Sequence, residues 1–145
     1  MSIEYEPMFY LIGPYHATAD KTTEQHIASA RLALRTCLLY GLHAICPHMA
    51  FASMEQELPI IKDSFWYDVT MSIARRCDAG IVFAEEYRSS VGSMAEINHF
   101  RGVRKPIFKT FATGILPVMA FRAHFIHHIE REMSWLQLQQ SQSSQ

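Results

Sequence analysis

The sequence lacks several features that would place it in a broad class of protein. It has only three cysteines, Cys37, Cys46 and Cys77, and none of them forms a CxxC pair. An odd number of isolated cysteines predicts free thiols in a reducing compartment and not a disulfide framework. No apolar run is long enough to span a bilayer, and the first residues are acidic where a signal peptide would be apolar. These absences predict a cytoplasmic protein that does not associate with membranes.

An excess of charge of either sign is also missing. The chain has 13 Lys and Arg against 14 Asp and Glu, for a formal net charge of −1, and no basic run. A nucleic-acid partner is therefore not expected. Neither a GxxxxGK[ST] loop nor a GxGxxG loop is present, so the common nucleotide-binding loops are excluded. A small anionic ligand remains compatible with this composition, because it needs only a few local donors.

The composition is otherwise that of a folded domain. The chain has 145 residues, of which 49% are hydrophobic, and this suits one domain with a real core. We expect that domain to span residues 1–136. Residues 137–145 form a polar tail of low complexity and are predicted to be disordered.

Short apolar runs alternate with helical patterns along the chain. Strands are predicted at residues 8–12, 42–46, 79–84 and 105–110. Helices are predicted from a capping box at Thr22 and Gln25 to Gly41, from Asp63 or Ser64 to residue 76, over residues 93–101, and after Pro117. Residues 48–62 show little periodicity and are predicted to be a loop. This alternation predicts an α/β fold, a three-layer sandwich with a mainly parallel sheet and helices on both faces.

In such sheets, ligands bind beyond the carboxyl ends of the strands. Three segments therefore become candidates for binding, residues 13–20, 47–62 and 85–92. In the first, Gly13-Pro14-Tyr15-His16 follows a strand directly, and glycine there permits close approach of the backbone to a ligand. The alternative is an ordinary turn that ends the strand. His48 in the second segment is likewise either a pocket residue or a turn residue.

The third segment leads into a helix through Ser89, Ser90, Gly92 and Glu96. Free amides and hydroxyls at a helix N-terminus form a ready anion site, and Arg88 adds a positive charge. The alternative is structural. Ser93 and Glu96 fit a capping box, in which Glu96 only bonds the start of its own helix, and the pattern alone favours this interpretation.

Two further groups have chemical potential. Asp68 follows bulky aromatics in Phe65-Trp66-Tyr67-Asp68, so its carboxyl is either partly desolvated and suited to acid catalysis, or a solvated group near a helix start. His124, His127 and His128 share a predicted helix, and the first and last are four residues apart. No motif completes a metal site there, so packing in the core or at an interface is the favoured interpretation and no metal is predicted.

Together and in order, these elements resemble the nucleoside 2-deoxyribosyltransferase superfamily. The resemblance lies in Tyr10-Leu11-Ile12-Gly13-Pro14-Tyr15, Cys46-Pro47-His48, Trp66-Tyr67-Asp68, Cys77-Asp78-Ala79, Ser90-x-Gly92-x-x-x-Glu96 and Lys105-Pro106. It includes the related nucleoside 5′-monophosphate N-glycosidases and small uncharacterised bacterial and phage proteins, and covers residues 8–110. It implies a doubly wound fold of the Rossmann or flavodoxin-like type.

The resemblance also implies roles for individual residues. Glu96 falls on a catalytic glutamate that attacks the anomeric carbon, Asp68 on an acid that assists at the base or sugar, and Tyr10 on a tyrosine that holds the nucleophile. Ser90 and Gly92 fall where the 5′ end of the substrate is bound. The transferases often have an acid at the position of Ser90, whereas the monophosphate hydrolases have serine. We therefore expect a nucleoside 5′-monophosphate as substrate and water as acceptor.

Two alternatives remain open. One is a transferase that exchanges bases on a nucleoside, and the other is a non-catalytic module that binds a nucleotide. Members of the superfamily are commonly homo-oligomers, so a homo-oligomer is expected here. The apolar residues 115–125 are either part of that interface or a core helix. The chemistry requires no organic cofactor and no metal.

Overall fold

The computed structural model describes residues 5–144, apart from the side chains of residues 112 and 113. At its centre lies a four-stranded sheet in the order β2-β1-β3-β4. The strands are β1 (Met8–Ile12), β2 (His43–Ile45), β3 (Ala79–Val82) and β4 (Ile107–Lys109). All three pairings are parallel, and Tyr10 of β1 lies opposite Ile45 of β2 and Gly80 of β3. The predicted α/β fold with a parallel sheet is confirmed. The strands β2, β3 and β4 are two or three residues shorter than predicted, whereas β1 has the predicted bounds.

Helices connect the strands. They are α1 (Thr23–Leu39), α2 (Pro47–Glu57), α3 (Asp63–Ala74), α4 (Val91–Gly102), α5 (Thr110–Thr113) and α6 (Leu116–Ser143), with a 3-10 helix at Glu85–Ser89. The predicted capping box of α1 is present. The Thr22 amide donates to Oε1 of Gln25 over 2.8 Å, and the Gln25 amide donates to Oγ1 of Thr22 over 3.2 Å. Gly41 follows the helix with a φ of +74°, a conformation that favours glycine.

The sheet separates two apolar cores because side chains alternate across each strand. Phe9 and Leu11 of β1 point into one core, where α1 contributes Ala30 and α6 contributes Val118. Tyr10 and Ile12 point into the other core, beneath Ala74 of α3 and Phe100 of α4. All three cysteines are free and buried in these cores. Helices therefore cover both faces of the sheet, as predicted.

The prediction of a loop over residues 48–62 is wrong for its first part, which is helix α2. Pro47 occupies the first turn, where a missing amide hydrogen costs nothing, and Cys46 is the N-cap. The helix packs against α1 and buries only Pro47 and His48 completely. With so few apolar residues directed at the core, its sequence has little of the periodicity on which the prediction depended.

The carboxyl-terminal helix also differs from expectation. Residues 137–143 were predicted to be disordered, but α6 continues to Ser143. Every residue from 131 to 144 is exposed, so this end of the helix rests on its own backbone hydrogen bonds and on helix-forming Leu and Gln residues. Within residues 5–144, no helix combines the length and apolar character needed to cross a membrane.

The first part of α6 packs on the body of the protein. Val118 is fully buried, and Ile115, Met119 and Phe121 pack against the core shared with α1. Arg122 also bonds through Nε to Oε2 of Glu6 over 2.9 Å. These contacts favour a core role for residues 115–125 over an oligomer interface.

The segments that follow β1 and β3 make a close contact at the edge of the sheet. A Cβ atom added at Gly13 would lie 2.3 Å from the ring of Phe83, a distance that requires the ring to move. Gly13 directly follows β1 and Phe83 directly follows β3. The close approach predicted at Gly13 is therefore made by a ring of the protein itself.

We expect Gly13→Ala to lower the free energy of unfolding by about 1–3 kcal/mol, because the added methyl group overpacks this contact. Chemical denaturation would measure the change. Gly102→Ala is the matched control, since nothing lies within 4 Å of the added Cβ atom, and alanine is the better residue in a helix. A Gly13→Ala protein as stable as the control would contradict the proposed clash.

Candidate active site

A cavity of about 550 Å³ opens at the carboxyl edge of the sheet. It is lined by the segment that follows β1, by α2 and α3, and by the start of α4. In a sheet of this strand order the connections diverge between β1 and β3, and such a switch point leaves a crevice for a ligand. All three segments predicted to bind ligand, residues 13–20, 47–62 and 85–92, contribute residues to the lining of this cavity.

Two helices each present one continuous face to the cavity. The lining residues recur at the i, i+3, i+4, i+7 spacing of one helical face. From α2 they are His48, Phe51, Ala52 and Glu55, and from α3 they are Asp63, Trp66, Tyr67 and Thr70. The rings of Phe51 and Trp66 lie 5.8 Å apart between centroids, so the two helices form one aromatic wall.

The start of α4 forms the facing wall, where Ser89, Ser90, Val91, Gly92 and Ser93 line the cavity. Ser90 is the N-cap, and its Oγ accepts the Ser93 amide over 3.2 Å. The amides of Val91 and Gly92 fall in the first turn and have no acceptor within their own helix. The Ser93 side chain is only 1% exposed, and its hydroxyl has no partner among the described residues. This wall therefore offers donors at the positive end of a helix dipole.

The capping-box alternative for Glu96 is wrong, because the helix begins two residues earlier than predicted and Ser90 provides the cap. Glu96 instead lines the cavity, one turn into α4. Burial raises the pKa of its carboxyl to about 8, although hydrogen bonding with Tyr10 acts in the opposite direction. Glu96 is thus a carboxyl group held in a poorly solvated place at the edge of an open cavity, a condition typical of reactive sites.

Tyr10 lies in the buried centre of β1, and its side chain is 0% exposed. Burial raises the pKa of its phenol, and the negative charge of Glu96 raises it further. The hydroxyl therefore stays protonated as a donor. It lies near Glu96 and Thr70, but makes no hydrogen bond of good geometry among the residues described. The predicted partnership of Tyr10 and Glu96 is matched by their proximity.

His48 joins α2 to the segment after β1. Its Nε2 lies 2.7 Å from the carbonyl oxygen of Pro14, so Nε2 must donate and Nδ1 is left as the acceptor in the neutral ring. Burial lowers the pKa of this imidazole, and its side chain is only 8% exposed. The buried Nδ1 has no partner among the described residues. His48 lines the cavity, which is the first of its two predicted alternatives, whereas Pro14 contributes its carbonyl to His48 and is not part of the lining.

The remaining residues after β1 approach the cavity from above. Tyr15 and His16 both line it, and their rings lie 5.0 Å apart. Tyr15 also lies 5.3 Å from the ring of His48. Burial raises the pKa of the Tyr15 phenol, and hydrogen bonding to Glu55 raises it further. The phenol is thus a donor to a carboxylate on α2.

Four predicted site residues do not line the cavity, namely Tyr10, Pro14, Asp68 and Arg88. Tyr10 and Pro14 are close to the lining residues Glu96 and His48. Asp68 is exposed and lies on the face of α3 turned away from Trp66 and Thr70. Its neighbouring aromatics therefore do not desolvate it. Arg88 is exposed as well, and its Nε donates to the hydroxyl of Tyr87 over 3.0 Å.

Other residues of the site were missed. Glu55, Asp63 and Thr70 line the cavity, but α2 was predicted to be a loop and the faces of α3 could not be assigned. Ser93 was predicted only as part of a possible capping box. No Lys or Arg lines the cavity in the described part of the chain. The described residues include no cluster of three or more metal-binding side chains, and His124, His127 and His128 are exposed on α6.

Because the pKa of Glu96 is raised, we expect the free energy of unfolding to depend on pH. Between the ordinary pKa of 4.5 and about 8, the unfolded chain loses this proton while the folded protein keeps it. Stability therefore falls as pH rises through that window. We expect Glu96→Gln to raise the free energy of unfolding at pH 8 by on the order of 3 kcal/mol, and to have little effect at pH 4.

Denaturant titrations at a series of pH values would measure this difference. Glu57→Gln removes an exposed carboxyl of α2 and serves as the control for loss of charge. An effect of Glu96→Gln that does not change with pH would show that the carboxyl is ordinarily solvated.

In comparisons with known proteins, no family model matches this chain, and no curated protein matches it. The resemblance to the nucleoside 2-deoxyribosyltransferase superfamily therefore stays a prediction that depends on the motifs. Most of the residues that carry the predicted site, from Gly13 to Glu96, nevertheless line one cavity.

Proposed function

We propose that this protein hydrolyses the N-glycosidic bond of a nucleoside 5′-monophosphate, with Glu96 as the nucleophile. The observation that carries the proposal is the position of Glu96. Its carboxyl lies in the wall of a cavity large enough for a nucleotide, with its pKa raised by burial and Tyr10 nearby. A pocket of several hundred cubic ångströms is the ordinary size for such a ligand.

The reaction proceeds in two displacements. The ionised Glu96 carboxylate attacks the anomeric carbon as the bond to the base breaks, and the base leaves with the bonding electrons and takes a proton from water. A second water then attacks the same carbon, releases Glu96 and gives up its proton. The sum is one water consumed for one base and one sugar phosphate released, with retained configuration. The protonated Tyr10 hydroxyl lies near Glu96, and in this proposal it turns to donate to the carboxylate once Glu96 is ionised.

The start of α4 binds the 5′-phosphate in this proposal. Ser89, Ser90 and Gly92 line the cavity there, and the amides of the first turn point outward at the positive end of the helix. The buried hydroxyl of Ser93 has no partner among residues 5–144 and is a further donor beside this site. Asp68 lies outside the cavity, so it takes no part in the proposed step.

A second candidate is supported by the charge of the cavity. Glu55, Asp63 and Glu96 line it, whereas no Lys or Arg does in the described part of the chain. Carboxylates repel a phosphate dianion, and a free nucleoside has no such charge. This observation favours a transferase that exchanges bases on a nucleoside, in which a second base replaces water as the acceptor.

One assay separates the candidates. Ribo- and deoxyribonucleosides and their 5′-monophosphates are incubated with the protein, with and without a second free base, and release or exchange is followed by chromatography. Release from monophosphates without an acceptor, absent in Glu96→Gln, is the expected result. Exchange only with an added base establishes the transferase. Binding of nucleotides without turnover would refute both, and would leave a non-catalytic module.

The pH dependence tests the role of Glu96. A nucleophile must be ionised, so we expect kcat/KM to rise about tenfold per pH unit below the pKa of about 8 and to level off above it. If Glu96 acted as a proton donor, kcat/KM would instead fall above that pH. Rates measured from pH 5 to 9 decide between these roles.

Ser90→Asp tests the phosphate site. Aspartate is as good an N-cap as serine, so α4 keeps its cap while a negative charge enters the proposed phosphate site. We expect monophosphate turnover to fall by at least about tenfold relative to nucleoside turnover, because like charges repel. Ser90→Asn, which keeps the cap without the charge, is the control. Equal losses for both substrate types would contradict phosphate binding at α4.

A further inference from the structure

The α2 wall of the cavity contains a carboxylate that the proposed reaction does not use. Glu55 lies on the same face of α2 as His48 and Phe51, lines the cavity, and is partly buried. The phenol of Tyr15, whose pKa is raised by burial and by hydrogen bonding to this carboxylate, lies beside it. Tyr15 comes from the segment after β1, so the group beside Glu55 belongs to a different element from Glu55 itself, and both residues line the cavity.

This arrangement leaves acceptor capacity free. A carboxylate has two oxygens with about four lone-pair sites, and one phenol hydrogen uses only one of them. Next to Glu55 stand the aromatic rings of Phe51 and Trp66, 5.8 Å apart, on which a flat heterocycle can stack. His48 belongs to the same wall and is 8% exposed, and its Nδ1 is a buried acceptor without a partner in the described part of the chain.

The acceptors and rings come from other elements than the donors. Hydroxyls and free amides occur at the start of α4, whereas the α2 wall has a carboxylate and an unprotonated imidazole nitrogen. Asp63 also lines the cavity, but it is exposed and begins α3, where its charge complements the helix dipole. A nucleotide fits this polarity in one direction only, with its phosphate at α4 and its base at α2.

We propose that Glu55, positioned by Tyr15, selects nucleobases that present an exocyclic amino group, as adenine, guanine and cytosine do. This inference rests on the proposed function, because it assumes that a nucleotide occupies the cavity. An amino group donates to a carboxylate. Hypoxanthine and uracil have a carbonyl oxygen in place of the amino group of adenine and cytosine. That oxygen cannot donate, and its lone pairs repel the carboxylate.

The test measures binding and not turnover. In a Glu96→Gln background, which cannot complete the reaction, calorimetry gives the dissociation constants of matched 5′-monophosphate pairs, adenosine against inosine and cytidine against uridine. We expect the amino-bearing member of each pair to bind at least ~10-fold more tightly. Adding Glu55→Gln is expected to reduce the ratio to about twofold or less, because the amide both donates and accepts.

Two further variants complete the design. Glu57→Gln changes an exposed carboxyl of the same helix and should leave the ratio unchanged. Tyr15→Phe removes only the hydroxyl that holds Glu55, so it should lower the ratio while thermal unfolding shows a folded protein. A loss of affinity that is equal for both members of a pair would assign Tyr15 a structural role and overturn its role in positioning Glu55.

The outcomes also separate this inference from the function on which it rests. Selective binding that depends on Glu55, without base release by the unmodified protein, would support the inference and refute the hydrolase. Base release without any preference, or a preference that survives Glu55→Gln, would refute the inference alone. If no nucleotide or nucleoside binds at all, both are wrong.

Discussion

Parallel pairing on both sides of β1 is the constraint from which the rest of this structure follows. Because β1, β2 and β3 run in the same direction, the segments that leave them all emerge at one edge of the sheet. The chain must cross over a face of the sheet between strands, and the helices that do so cover both faces. The residues that follow β1 and β3 then meet, close enough for the ring of Phe83 to occupy the space beside Gly13. A crevice at this edge is a product of topology before any side chain is considered.

Glu96 gives that crevice a reactive carboxyl group, and burial of this group lowers the free energy of unfolding. Glu96 lies one turn into α4, near the buried Tyr10 of β1. Water solvates a carboxylate poorly in this place, so the pKa of Glu96 rises. A folded protein gains nothing from such a group. Glutamine would fill the same space without the penalty, so a carboxyl at this position is easier to explain by reactivity than by packing. The cap of α4 is supplied by Ser90 instead, and this leaves Glu96 free of a structural task.

The two walls of the cavity have opposite polarity for different reasons. The donors at the start of α4 come mainly from the backbone, since every helix exposes amides in its first turn. The acceptors at α2 come from side chains, Glu55 and His48, and each of these is tied to the segment after β1, through Tyr15 and the carbonyl of Pro14 respectively. That segment therefore contacts α2 at both of these acceptors. The shape of the pocket and the orientation of its acceptors depend on the same few contacts.

The sequence by itself determined the class of fold and most of the candidate site, because both are written in local patterns. Apolar runs marked the strands, and Thr22 and Gln25 marked a helix start. The motif at Gly13 marked the end of β1, and the motif at Ser90 and Glu96 marked the helix that follows β3. Only the tertiary structure decided which face of a helix meets the cavity. It placed Asp68 in solvent and Glu55 in the wall, and it turned residues 47–57 into a helix whose own periodicity is weak. Local sequence encodes the hydrogen bonds of each element. The environment of a side chain is set by residues that are distant along the chain, and a local pattern does not show which of them will pack around it.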